Sequence, residues 1–291
     1  MADDEQPRAR SVTLAARGGE MALLDFGPRR RPVDIVFSHA NGFNGRTYRS
    51  ILAPLAATLR ILAIDLRGHG ASTLPADPEG RTEGWTLFRD DLLALLDVEA
   101  EGPVVLAGHS MGGTSSLLAA ARAPDRVRAL ALFDPVLIPK AMLDDTEALK
   151  VSPLATGAGR RRDTFPTSAE ALAAYEGRGA FRSWSPEQLG DYVAGGFRAS
   201  GNGGVTLACA PTWEASNFQT HAYDPWAALR ALTCPVRLLR AEAGSTARFE
   251  AGGIDAADLP NLRLETVPGT SHFLPMERPD LVRRTLADLA A

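Results

Sequence analysis

Cysteine is nearly absent from this chain: 291 residues hold two, Cys209 and Cys234, with no metal-ligand spacing between them. Two isolated thiols exclude a disulfide-built scaffold and a cysteine-rich zinc site, and they favour a reduced, cytoplasmic setting. An excess of either charge is lacking too, because 31 Lys and Arg against 35 Asp and Glu leave a net −4. That balance supplies no electrostatic footprint for nucleic acid or an acidic membrane surface. No apolar run approaches the roughly 18 residues that a membrane span needs. The opening MADDEQPRAR is polar and lacks the apolar stretch of a secretory leader. The expectation is a soluble cytoplasmic protein with neither a nucleic-acid nor a membrane partner.

What remains is an ordinary globular composition, 45% hydrophobic and 23% charged. The length suits one large α/β domain or a core carrying an insertion. Ser11 to Ala16 and Glu20 to Phe26 flank an RGG turn and read as an opening hairpin. Short apolar runs follow at Val33 to Ser38, Ile61 to Asp65, Val104 to Gly108 and Val127 to Asp134. Others come late, at Val236 to Arg240 and Leu262 to Val267. Between them, Thr47 to Leu59, Trp85 to Asp97, the stretch after Ser110 and Asp280 to Leu289 carry helical spacing. In the second of these, Asp90 and Asp91 are expected on the wet side. Such alternation predicts an α/β fold with a mostly parallel sheet and helices on both faces.

Residues 138–225 interrupt the pattern with prolines, GAGRRRD, SGNGG and short helical pieces such as Ser168 to Tyr175. The chain therefore divides into a first core part, 1–137, a mainly helical insertion, 138–225, and a second core part, 226–291. Nine of the nineteen aromatics lie between Ile138 and Asp224, more than that segment's length would give. They form either the segment's own core or the apolar underside of a lid over a pocket, and the two readings are compatible. GRRRD reads as a solvated turn.

The stretch VVLAGHSMGGTSSLLAAA, Val104 to Ala121, puts Ser110 where a strand stops and a helix begins, hemmed by Gly108, Gly112 and Gly113. GHSMG fits the G-x-S-x-G nucleophile elbow, in which a strained turn lifts the serine hydroxyl above the sheet. The helix N-terminus behind it aims backbone N–H groups at negative charge forming there. A serine needs a base, and the base needs an orienting partner. Of the five histidines, His109 adjoins the serine and suits a supporting role, and His39 and His69 suit loop organisation. His221 lies in the irregular segment, where a packed or exposed side chain is the default. His272, in VPGTSHFLPMERP, follows the last strand and precedes the last helix, at the same sheet edge as Ser110. It is the expected base.

These residues resemble the α/β-hydrolase family over most of the chain. SHANGF is similar to that family's oxyanion loop, DLRGHGAS to its loop after the next strand, GHSMGG to its elbow and SHFLPMERP to its histidine loop. The resemblance implies a cap at the insertion, a serine–acid–histidine chain order and no metal or organic cofactor. It implies oxyanion donors at Met111 and, since Ala40 replaces the usual glycine, at Asn41 or else Phe43. In the family the acid usually follows the penultimate strand, but Gly244 or Ser245 occupies that place here. Two carboxylates remain open: Asp134, at the end of an earlier strand as in some family members, and Glu242.

The implied activity is acyl transfer to water on a small, apolar or aromatic ester-like substrate. Trp184, Trp213 and Phe43 are the candidates to wall its pocket. A lactonase, thioesterase, acyltransferase or carbon–carbon bond hydrolase could use the same residues, and a non-catalytic receptor could keep the pocket alone. Ser110 argues against a dehalogenase or epoxide hydrolase, which resemble this fold but place an aspartate at the nucleophile.

Overall fold

The computed structural model describes residues 6–79, 81–139, 152–201, 203–220, 223–249 and 254–291. His221 and parts of the expected insertion lie outside them.

The first half opens with the hairpin β1 (Arg8–Leu14) and β2 (Gly19–Phe26), then β3 (Ile35–Ser38) and β4 (Ile61–Ile64). After these come α2 (Thr86–Glu99), β5 (Val104–His109), α3 (Met111–Arg122) and β6 (Val127–Phe133). Thr47 to Leu59 is not one helix. Pro54 lies inside it, and the chain makes 3-10 turns around the four-residue α1 (Arg49–Leu52).

An inserted segment follows, with α4 (Pro153–Gly159), α5 (Ser168–Tyr175), α6 (Pro186–Gly196) and α7 (Pro211–Gln219). It also holds three short strands, β7 (Thr164–Phe165), β8 (Phe197–Ala199) and β9 (Val205–Leu207), paired antiparallel in the order β7-β9-β8. Two- and three-residue strands carry too little alternation to be read from sequence. The second half supplies α8 (Pro225–Ala231), β10 (Val236–Ala241), β11 (Leu262–Val267), α9 (Leu274–Glu277) and α10 (Pro279–Ala290).

The large sheet runs β1-β2-β4-β3-β5-β6-β10-β11. β2 pairs antiparallel with β1 and β4, and every pairing from β4 to β11 is parallel. Alternate residues of one strand feed two cores. Val36, Leu62 and Leu106 pack with Phe88, Leu117 and Trp226 from α2, α3 and α8. Ile35, Phe37 and Val105 pack with Ile51, Val282 and Leu286 from α1 and α10. Covering on both faces is why these strands read as continuous apolar runs.

Asp91 departs from the expected wet face of α2. It is fully buried and accepts from Arg67 and Arg17, because α2 also packs against the opening hairpin. The strand order reverses between β3 and β5, and at such a switch the loops leaving the strand ends diverge and open a crevice. The loops carrying Asn41 and Ser110 leave from these two strands.

Candidate active site

Ser110 has φ 54° and ψ −121°, and Asp134 has φ 45°. They are the non-glycine residues with positive φ among the described residues, a conformation that costs energy and gathers at functional sites. The turn at Ser110 closes only because its flanks lack side chains. A Cβ on Gly108 would strike the backbone of Gly112, and one on Gly112 would strike the carbonyls of Ser38 and His39.

Three strand ends deliver three side chains. His272, in the loop between β11 and α9, lies with Nε2 3.0 Å from the Ser110 hydroxyl and Nδ1 2.6 Å from Asp134 Oδ2. Asp134 follows β6 and is fully buried. Its Oδ1 accepts the Ala241 N–H and the Ser245 hydroxyl, and its Oδ2 accepts the Thr246 N–H. Burial pushes this carboxyl up, but the His272 ring and these donors outweigh it and hold the group below the usual carboxylate range. A charged carboxylate on Nδ1 fixes the tautomer with a bare Nε2, which can take the serine proton. Glu242 lies elsewhere, accepting the Gly269 N–H at 2.9 Å.

The loop after β3 separates its amides by their partners. Ala40 N–H points to the Tyr48 hydroxyl, Gly42 N–H to His69 Nε2 and Phe43 N–H to the Ala40 carbonyl. Asn41 N–H has no acceptor among the described residues. Met111 N–H, first in α3, has none within its helix. Phe43 was the other candidate from sequence, and its amide is occupied.

Asn41 is held from the inserted segment. Its side-chain amide donates to the Glu214 carbonyl and accepts from Asn217 Nδ2, both on α7. Asn217 in turn accepts from Arg81. Nothing in the local sequence marks Asn217 or Arg81, because they reach the loop through tertiary packing. Arg161 was missed for the same reason. Instead of ending in a solvated GRRRD turn, its guanidinium crosses above Gly42, pairs with Glu214 at 2.5 Å and donates to the Tyr192 hydroxyl.

His39 and His69 are fully buried loop ties, accepting the Leu66 and Gly42 amides on Nε2. Burial, then the neighbouring His69, pushes His39 well below the usual histidine range. Burial likewise brings His69 down to about 4.

The two tryptophans separate. Trp184 packs its ring against Phe43, in the loop after β3, and Phe273, beside His272, and against Phe181 and Tyr192 of its own segment. Trp213 does not join them, contrary to expectation. Its ring is 2% exposed, meets Phe88, lies under the Arg81 guanidinium and donates to the Arg67 carbonyl. α7 turns that face toward α2 and the Gly68 turn and leaves Asn217 for the loop.

Both cysteines are free. No group of three or more His, Cys, Asp or Glu able to hold a metal ion, and no helix long and apolar enough to cross a membrane, occurs among the described residues.

The chain is similar to known hydrolases. The chain is 24% identical to 2-(acetamidomethylene)succinate hydrolase of Mesorhizobium japonicum, over 87% of this chain and 86% of that protein. It is 38% identical to lipase LipV of Mycobacterium tuberculosis, over 40% of this chain and 42% of the lipase. Among solved structures, an E-2-(acetamidomethylene)succinate hydrolase superposes with TM-score 0.79 at 22% identity, covering 97% of this chain and 98% of that one. The thioesterase domain from the curacin biosynthetic pathway follows at 0.76 and 20%, covering 97% and 99%. Residues 35–285 match the Alpha/beta hydrolase family, and the chain belongs to it as an α/β-fold hydrolase.

Proposed function

We propose that the protein is a serine hydrolase that cleaves a small carboxylic ester, or a related acyl substrate, through an acyl-enzyme. The observation that carries this reading is the unbroken line from Asp134 through His272 to the Ser110 hydroxyl, beside two unengaged amides. Ser110 Oγ attacks the carbonyl carbon while His272 Nε2 takes its proton, and Asp134 stabilises the imidazolium. The oxyanion lies between the Met111 and Asn41 amides, each such donor contributing about 3 to 4 kcal/mol at the transition state. His272 then returns the proton to the alcohol oxygen as the ester C–O bond breaks, leaving the acyl group on Ser110. A water then repeats the sequence on the acyl-enzyme and frees the acid. No step calls for a metal or an organic cofactor.

The inserted segment serves as the cap. Trp184 and Phe43 give the substrate side an apolar, aromatic wall, which favours uncharged acyl groups. The relative that spans most of the chain is named for a substituted succinate, which would need a cation near the oxyanion loop. Arg161 stands there but is already paired with Glu214, so the apolar reading is preferred. The aspartate nucleophile of dehalogenases and epoxide hydrolases is replaced by Ser110, which keeps the reaction at acyl transfer.

The test is labelling by a fluorophosphonate probe, followed by turnover of p-nitrophenyl esters of graded acyl length beside charged analogues. Labelling at Ser110 with turnover of neutral esters is the expected result. Tight binding of such esters without labelling would identify a receptor.

A further inference from the structure

The proposed mechanism leaves His109 without a task, although it is fully buried beside the nucleophile and both of its ring nitrogens are engaged. Nδ1 lies 2.7 Å from the Tyr48 hydroxyl, and Nε2 lies 2.7 Å from the backbone carbonyl of His272. The direction of each bond follows from its partners. A carbonyl can only accept, so Nε2 carries the proton. Nδ1 is then bare and accepts the Tyr48 proton. The Tyr48 oxygen is left to accept the Ala40 N–H, at 3.3 Å. Ala40 precedes Asn41, so one chain of hydrogen bonds runs from the oxyanion loop to the backbone of His272. Its first donor and last acceptor are peptide groups, so reversing it would leave a buried group unpaired.

We infer that Tyr48 and His109 are positioning residues that hold the distance between the oxyanion loop and the catalytic base. The inference rests on the triad reading above. Two loops from distant parts of the sequence must keep their spacing while charge builds on the oxyanion and on the imidazolium. A displacement of about 1 Å in such a site can cost roughly 100-fold in rate. A relay that ends on the His272 carbonyl fixes the main chain of that residue and leaves its ring to Ser110 and Asp134. Charging His109 would break the relay at Nδ1. Burial, then the neighbouring His272, keeps its pKa down at about 3, so it stays neutral while the base cycles.

Tyr48→Phe removes one oxygen and keeps the ring that packs on Phe37. His109→Gln keeps a donor within reach of the His272 carbonyl, and His109→Leu keeps none. With a chromogenic ester, kcat is expected to fall about 10- to 100-fold in Tyr48→Phe with KM little changed. His109→Gln should retain more activity than His109→Leu. Wild-type kcat in Tyr48→Phe, or equal losses in the two His109 variants, would overturn the inference. The wild-type protein gives an independent reading by ¹⁵N NMR of the His109 ring. A protonated Nε2 and a bare Nδ1 that do not titrate between pH 8 and 5 are expected, and a protonated Nδ1 would overturn the relay even if Tyr48→Phe fails to fold. Ser110→Ala separates the two readings. Full activity there would sink the triad together with the relay, whereas an inactive Ser110→Ala beside wild-type kcat in Tyr48→Phe would sink the relay alone.

Discussion

The Ser245 hydroxyl donates to Asp134 Oδ1 at 2.6 Å, across 111 residues of sequence. Ser245 occupies the stretch after β10 where the family usually carries its acid. Here that stretch supplies donors instead, with the Ser245 hydroxyl on one carboxylate oxygen and the Thr246 N–H on the other. An acid leaving β6 can reach His272 only if its turn aims it inward. The φ of 45° at Asp134 does this, and the Ala241 N–H secures it.

Exchanging the acid is therefore the first test. Asp134→Asn should lower kcat by up to roughly 10⁴-fold, because the amide favours the wrong histidine tautomer. Glu242→Gln should do much less, since Glu242 accepts the Gly269 N–H and a glutamine oxygen can still accept it. Steady-state kinetics on both variants, with circular dichroism to show the fold is kept, decides the assignment. The opposite order of losses would make Glu242 the acid.

Ser110→Ala and His272→Ala should each abolish turnover. The double variant should lose little more than either single one, because the two side chains act as a unit. Thermal unfolding should move only slightly, since neither side chain packs the apolar core. Additive losses in kcat would argue that the two residues act separately.

Much of this was legible in the sequence because it rests on local signals. Short continuous apolar runs and the glycines around Ser110 mark the strands and the elbow, and loop position marks His272. The illegible part is tertiary. Asp91 and Arg161 are charged residues that sequence patterns place in water, yet each is drawn inward by an ion pair from a distant segment. Trp184 stands in the turn before α6 and Trp213 inside α7, and only the tertiary packing of those segments tells them apart. The choice between the Asn41 and Phe43 amides depends on which N–H groups Tyr48, His69 and the Ala40 carbonyl occupy.

That division of the tryptophans makes a third prediction. Trp184→Leu should change the order of preference among acyl lengths, because the indole stands against Phe43 and Phe273. Trp213→Leu should leave that order alone and lower stability by several kcal/mol. It loses ring packing on Phe88 and the bond to the Arg67 carbonyl. A panel of esters combined with urea unfolding separates the two effects. Altered selectivity in Trp213→Leu at unchanged stability would reverse the roles.

Acid should weaken the fold earlier than carboxylate protonation alone would. His69, with its pKa brought down by burial to about 4, binds no proton in the folded state at pH 5, whereas the unfolded chain does. The unfolded state then holds more protons, so stability falls as pH drops below about 6.5. At about 1.4 kcal/mol per pKa unit, His69 alone is worth roughly 3 kcal/mol by pH 4. Asp65 works the other way. Burial raises its pKa to about 6, so its folded form gains protons first and stability rises as pH falls from there. Burial raises Asp191 as well, and these two carboxyls oppose three histidines, since burial lowers His39 and His109 as it does His69. The urea midpoint should accordingly be lower at pH 5 than at pH 7.5. A midpoint that stays level or rises over that interval would show that these histidines are not buried neutral in solution.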